Sequence, residues 1–344
     1  MNGSIFDADT IGGNQAVKSV VLKIAEVAIY LSEVISLGDL RRSLVKPTGI
    51  NADGDHQKEL DVIADKAYLQ AMQKSEVRFY ASEEQDEVLE LNSSGVVALA
   101  IDPLDGSSNI DTNVSIGSIF SLRNVSPKSD SESETNYTQS QFFGPGSEQI
   151  AAGYIIFGPQ TLLVLTTGNG VKQFVLDRNK NTFLLARESL KIPANTYEYA
   201  VNASNYRHWS KPVRQYIEDS NAGEVGPRGS NFNMRWIASL VAETHRILTR
   251  GGIFIYPSDS RKNYRSGRLR MVYECAPIAF LIEQADGAAT DCINRLLDLP
   301  VEGLHARSPF VFGSSNEVAR LQAYHDLPEN ETSPLFRRRG LFES

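Results

Sequence analysis

Apolar residues recur at Val17, Val20, Val21, Ile24, Val27, Ala28, Leu31, Val34 and Ile35, the spacing of one helix face, and Gly38 closes the pattern. A second helical pattern covers residues 57–73, with Leu60, Ile63, Ala67, Tyr68 and Ala71 on one side; residues 41–54 between them read as a loop. After Gln73 the pattern changes. Runs at 77–81, 96–101, 114–122, 151–157, 162–167, 171–176 and 183–186 have the length and flanking turn residues of strands. Turn signals at Gly158-Pro159 and Gly168-Asn169-Gly170 predict an antiparallel meander. Residues 126–147, rich in Ser, Asp, Glu and Gln, are expected to loop outward.

The second half mixes helical patterns at 235–248, 277–285 and 316–324 with strand patterns at 252–256, 268–273 and 310–312. The expected fold is therefore α+β to α/β, with a largely antiparallel N-terminal sheet and a C-terminal α/β half. Residues 1–190 and 191–344 form the two predicted domains, meeting near 187–196. A chain of 344 residues is long enough for two fused domains or one large layered unit.

Composition narrows the class. Hydrophobic residues at 41% and charged residues at 22% describe an ordinary globular protein. No apolar run is long enough for a membrane helix, and residues 1–13 lack the pattern of a secretory signal, so no membrane partner and a cytoplasmic location are expected. A net charge of −8 argues against nucleic acid as a partner, because phosphate backbones are met by an excess of Lys and Arg. Two cysteines, Cys275 and Cys292, are read as reduced thiols, and the five histidines show no zinc-like spacing.

The candidate chemistry is acidic. A buried strand pattern ends in Ile101-Asp102-Pro103-Leu104-Asp105-Gly106-Ser107-Ser108-Asn109. Pro103 stops the strand from simply continuing and Gly106 permits close backbone approach, so Asp102 and Asp105 can converge on one point. Paired carboxylates of this kind hold hard cations, and the adjacent amides and hydroxyls can cradle a phosphate. Another strand pattern ends in Ser82-Glu83-Glu84; alone, such a pair is usually solvated surface. Asp55 and Asp61 flank the start of the second helix and read most simply as a helix cap and an exposed helical residue. Glu274 follows Arg268-Leu269-Arg270 at a strand-to-helix junction before Pro277.

Taken in order, Gly54-Asp55 to Leu60-Asp61, Ser82-Glu83-Glu84, the string Asp102 to Asp111, Gly251-Gly252-Ile253-Phe254-Ile255-Tyr256-Pro257 and Tyr273-Glu274-Cys275 resemble class I fructose-1,6-bisphosphatase. The resemblance implies a layered α-β-α-β-α sugar-phosphatase fold and hydrolysis of the 1-phosphate of fructose 1,6-bisphosphate in gluconeogenesis. It implies two or three Mg²⁺ ions, with Mn²⁺ able to substitute, held by Glu83, Glu84, Asp102, Asp105, Glu274 and the Leu104 carbonyl. Asp61 and Glu84 would orient and deprotonate a water, supported by Asp55. The 1-phosphate would lie against Asp105, Gly106, Ser107, Ser108 and Arg270, and the distal phosphate near Asn202, Tyr206, Arg235, Tyr256 and Arg268. In the family that first arginine of the distal set, Arg235 here, reaches across a subunit interface, which implies a homo-oligomer, expected as a homotetramer.

Three departures accompany the resemblance. Arg268 stands where the family usually has lysine, and Trp236 where tyrosine is usual. Val96 and Val97 occupy the positions of a lysine-tyrosine pair that binds inhibitory AMP, so AMP control of that kind is not expected. The first two changes keep sedoheptulose-1,7-bisphosphatase, or an enzyme of dual specificity, open as the alternative. An inactive phosphosugar-binding protein would be expected to have lost metal carboxylates, and here all are retained.

Overall fold

A computed structural model describes residues 5–40, 47–50, 56–129 and 133–326. The first long helix, Gln15–Leu37, starts where the Asn14 side chain accepts the Val17 amide at 2.9 Å and ends at Gly38, whose φ of 45° few other residues adopt. The second, Glu59–Met72, begins where the Lys58 amide donates to Asp61 Oδ2 at 2.7 Å. Part of the stretch expected to be a loop is a strand: Pro47–Ile50 pairs antiparallel with His56–Lys58.

Eight strands form the first sheet, in the spatial order Thr182–Arg187, Lys172–Asp177, Thr161–Thr166, Ala151–Phe157, Ile116–Asn124, Val97–Asp105, Val77–Ser82 and Leu89–Glu90. Every neighbouring pair is antiparallel except Val77–Ser82 with Val97–Asp105. Alternation sends Val97, Leu99 and Ile101 to one face and Ala98 and Ala100 to the other. The first face packs under the Gln15–Leu37 and Glu59–Met72 helices. The second packs on helices Leu240–Arg250 and Ala276–Gln284, whose far sides meet a second sheet through Phe254, Phe310 and Phe312.

That second sheet has five strands, ordered Asn233–Met234, Glu198–Val201, Ile253–Tyr256, Phe310–Gly313 and Ala288–Thr290. Its outer face is covered by helices Lys211–Asn221 and Ser315–His325 around Val213, Tyr216, Val318 and Leu321. The layers therefore run α-β-α-β-α, each sheet buried on both faces. Among the described residues no helix is long and apolar enough to cross a membrane.

Three local expectations change. Residues 126–147 do not simply loop outward: Glu134–Ser140 is a helix, and Tyr137 and Phe142 are buried, Tyr137 edge-on to Phe79 at 5.4 Å. Two aromatic anchors suffice to dock a segment that composition marks as polar. The helix expected from residue 235 starts only at Leu240, because Ser239 caps it and Ala238 sits at φ 61°. The strand expected over 268–273 is reduced to Leu269–Arg270, followed by a π-helical turn, Met271–Cys275, which runs into the next helix.

Candidate active site

The strand Val97–Asp105 is buried along its length and lies at the one parallel junction of the first sheet. Its pairing with Ile116–Asn124 slips after Asp102: Asp102 lies opposite Ile119, yet Asp105 lies opposite Gly117. Proline lacks the amide the ladder needs, so Pro103 sits in the resulting bulge, and bulges re-aim side chains. Asp102 Oδ1 accepts the Leu104 amide at 3.0 Å, and Asp105 Oδ2 accepts the Val241 amide at 2.8 Å, at the N-terminus of the Leu240–Arg250 helix. Gly106, at φ 80°, then turns the chain into the short 3₁₀ segment Ser107–Thr112, pinned by Asn109 Nδ2 donating to the Ala238 carbonyl at 2.8 Å.

Two further segments bring acidic groups to the same place. Strand Val77–Ser82 ends beside Ile101, whose carbonyl accepts the Glu83 amide at 3.0 Å; the Glu83 carboxylate pairs with Arg270. The π-turn delivers Glu274, whose Oε2 accepts the Arg270 amide at 2.6 Å. Such single-turn π segments inside helices recur at functional sites, because the extra residue redirects a side chain. Carboxylate oxygens of Asp102, Asp105 and Glu274 all lie within 4.8 Å of one another, and all three residues are buried.

Electrostatics follow from this crowding. Burial is the first cause that lifts Asp102 well above the usual carboxylate range, and Glu83 and Asp105 push in the same direction. Burial likewise raises Glu83 to about 9, against the pull of Arg270, and Asp105 to about 7, against the Val241 amide. Asp61, expected on the surface, is only 1% exposed; burial raises it to about 7, opposed by the Lys58 amide and reinforced by Glu84. Its Oδ1 is buried, and the Ser107 side chain also favours the charged form.

The donor set fits a hard divalent cation. Three oxygens no more than 4.8 Å apart can share one ion at bond lengths of about 2.0–2.6 Å, and every nearby donor is oxygen. The mutual repulsion that, after burial, raises these carboxyls is what a bound cation would relieve.

A cavity of about 560 Å³ opens over this cluster. It is lined by Asp61, Glu83, Glu84, Asp102, Leu104, Asp105, Gly106, Ser107, Ser108, Tyr256, Arg268, Arg270 and Glu274, so the structure brings these sequence candidates together. Lys58 and Arg307 line it too and were missed. Lys58 belongs to the Asp55 to Asp61 string and could have been flagged, whereas Arg307 carries no spacing signal in the sequence.

Beyond Tyr256 and Arg268 lies a small pocket that also contains Asn202, Asn205, Arg261 and Tyr264. The guanidinium groups of Arg261 and Arg268 stand 4.1 and 4.6 Å from the Tyr264 ring, and Trp236 stacks on Tyr256 at 6.0 Å. Arg261 and Tyr264 also escaped the sequence reading. Two candidates stay outside both pockets: Tyr206 is on the surface with its hydroxyl on Glu218, and half-exposed Arg235 faces Glu198 at 3.4 Å. Asp55 lies outside the described residues.

Buried carboxylates beside a glycine-serine turn and a guanidinium, set between two sheets of a layered α/β scaffold, are the equipment of a phosphoric monoester hydrolase. Comparison with known proteins agrees. The model of the fructose-1-6-bisphosphatase N-terminal domain matches residues 9–188, and that of its C-terminal domain matches residues 192–326. A class 1 fructose-1,6-bisphosphatase of Cereibacter sphaeroides is 55% identical over 95% of this chain and 96% of its own. One from a Bradyrhizobium species is 56% identical over 94% and 93%. The holo crystal structure of Leishmania major fructose-1,6-bisphosphatase superposes with a TM-score of 0.86 at 34% identity, covering 92% of this chain and 96% of that one. The chain belongs to the class 1 fructose-1,6-bisphosphatase family.

Proposed function

We propose that this protein hydrolyses the 1-phosphate of D-fructose 1,6-bisphosphate to fructose 6-phosphate and inorganic phosphate, with Mg²⁺ as the working metal and Mn²⁺ able to replace it. The observation that carries the proposal is the convergence of Asp102, Asp105 and Glu274 beside the Gly106-Ser107-Ser108 turn in one cavity. Glu83, Glu84, Asp102, Asp105, Glu274 and the Leu104 carbonyl would hold the cations. Divalent ions bound there supply positive charge that polarises the phosphoryl group and offsets charge on the leaving oxygen.

The chain's own groups do the rest. Arg270, with Gly106, Ser107 and Ser108, binds phosphoryl oxygens; the guanidinium fork matches their geometry. Asp61, whose side chain lines the cavity, accepts a proton from the attacking water, with Glu84 beside it as orienting group and Asp55 in support. Tyr256 and Arg268, which line both the main cavity and the smaller pocket, receive the distal phosphate together with Asn202. Half-exposed Arg235 and exposed Tyr206 fit a part of this site completed at a neighbouring subunit, within a homotetramer. The two-domain division at about residue 190, a cytoplasmic location and a place in gluconeogenesis belong to the same proposal.

The test is phosphate release from fructose 1,6-bisphosphate and sedoheptulose 1,7-bisphosphate, each with Mg²⁺, with EDTA and with AMP. Expected are Mg²⁺-dependent release favouring the six-carbon sugar and no inhibition by AMP. Preference for the seven-carbon sugar would move the assignment to that substrate, and release from neither by folded, Mg²⁺-loaded protein would overturn it.

A further inference from the structure

The Glu59–Met72 helix carries Asp61, Asp65 and Tyr68 at helical spacing on one face. Asp61 reaches the cavity; Asp65 does not line it. Instead the Asp65 carboxylate collects three hydrogen bonds, two from the strand Val77–Ser82 and one from Gln85 just past the Glu83-Glu84 pair. Its Oδ1 accepts from Ser82 Oγ at 2.7 Å and Tyr80 Oη at 3.2 Å, and its Oδ2 from Gln85 Nε2 at 2.8 Å. Ser82 Oγ in turn accepts the Glu84 amide at 3.3 Å. Both residues flanking the Glu83-Glu84 pair are thus tied to the helix that bears Asp61.

The same face braces the second acidic turn. Tyr68 Oη donates to Ser118 Oγ at 3.0 Å, and Ser118 Oγ donates to the Pro103 carbonyl at 2.8 Å, between Asp102 and Asp105. The Glu83-Glu84 turn has an independent support on its other side, where His305 Nε2 donates to the Gln85 carbonyl at 3.2 Å.

We propose that Asp65 is a positioning residue: through Ser82 and Gln85 it fixes the Glu83-Glu84 carboxylates relative to Asp61. The proposal rests on the reading of the cleft as a metal-dependent phosphatase site. Carboxylates that repel one another tend to spread, and a rigid outer partner holds them at ligand spacing. A carboxylate suits the task because both its oxygens accept. An asparagine offers only one accepting atom, which keeps the Ser82 and Tyr80 bonds and loses that from Gln85.

The test compares wild type with Asp65→Ala, Asp65→Asn and Ser82→Ala, measuring Mn²⁺ binding without substrate by electron paramagnetic resonance and steady-state hydrolysis of fructose 1,6-bisphosphate. In Asp65→Ala, Mn²⁺ binding is expected to weaken about tenfold and kcat to fall about ten- to a hundredfold, with KM for the sugar bisphosphate unchanged. Asp65→Asn should lie between wild type and Asp65→Ala. Folded Asp65→Ala with wild-type Mn²⁺ affinity and kcat, or with only a lower melting temperature, would overturn the proposal. Should Asp65→Ala fail to fold, wild-type values in both other variants would overturn it equally. If wild type itself neither binds Mn²⁺ nor releases phosphate, the reading of the cleft fails first and this proposal with it.

Discussion

Two buried charged regions of this molecule are built on opposite terms. In the cleft, Asp61, Glu83, Asp102, Asp105 and Glu274 are all buried and crowd together, with Arg270 pairing with Glu83 and standing 3.9 Å from Glu274. Under the outer helices of the second sheet, Glu317 is also buried, but each of its oxygens lies 2.7 Å from Arg228 Nη2, and Tyr216 Oη donates to it at 2.7 Å. Arg228 has a further partner in Ser220 Oγ at 3.1 Å and covers the Phe232 ring at 4.3 Å. One region is closed in charge and hydrogen bonding; the other gathers carboxylate oxygens that could hold a cation. The difference separates charge that holds the fold from charge reserved for a ligand.

The comparison breaks most visibly at Asp102. Asp102→Asn is expected to cut turnover by about three orders of magnitude while the metal-free protein melts about 2–4 °C higher, because a neutral amide sits in the buried acidic cluster without the cost of protonating a carboxylate. Phosphate-release assays and calorimetry of the same preparation check both halves. Glu84→Gln should likewise abolish turnover in a folded protein.

At the closed region the signs reverse. Arg228→Ala leaves the buried Glu317 carboxylate with only Arg320, at 3.7 Å, as a cationic neighbour and should cost about 3 kcal/mol of stability, read by urea denaturation. Turnover below the melting transition should be unchanged. A large fall in kcat there, without loss of stability, would dissolve the distinction between the two regions.

The pH dependence sharpens it further. Asp61 and Asp105 at about 7 and Glu83 at about 9 are raised in the folded state, so the stability linked to their protons is fully present below the unfolded carboxylate range. That contribution is lost as pH rises through those values. The melting temperature of metal-free protein should therefore fall from pH 5 to pH 9, and saturating Mg²⁺ should flatten the decline.

The smallest effect belongs to His245, outside both regions. Burial first, then Arg187, push it from 6.5 down to about 4, while its Nδ1 meets Tyr154 Oη at 2.8 Å. A lowered histidine leaves stability intact above the unfolded value and removes it as pH falls from 6.5 towards 4. His245→Gln should remove about 3 kcal/mol of that acid dependence, measured by urea melts across the window.

Much of this was legible in the residues, for physical reasons that differ by place. The strands of the first sheet could be read because apolar runs bounded by turn residues have few other uses, and residues 151–157 appear as strand Ala151–Phe157. The run after Arg268 misled because Leu269, Met271, Val272 and Tyr273 suit a strand by composition, whereas tertiary packing winds Met271–Cys275 into a π-turn. In the site, Asp102 and Asp105 announced themselves by their spacing about Pro103 and Gly106. Asp61 did not: its burial is created by the sheet beneath it, and helical periodicity alone put it on the surface. Asp65 looked like any helical carboxylate, since its partners Tyr80, Ser82 and Gln85 come from a strand end seen only in the fold.

The central claim is that the open charge of the cleft exists to hold divalent metal for phosphate hydrolysis. Its most direct test is an Mg²⁺ titration of metal-stripped wild-type protein, following phosphate release from fructose 1,6-bisphosphate and thermal melting in parallel. The account predicts no release without metal, and activity and melting temperature rising together and reversing on addition of EDTA. Full activity in metal-stripped protein, or a melting temperature indifferent to Mg²⁺, would contradict it.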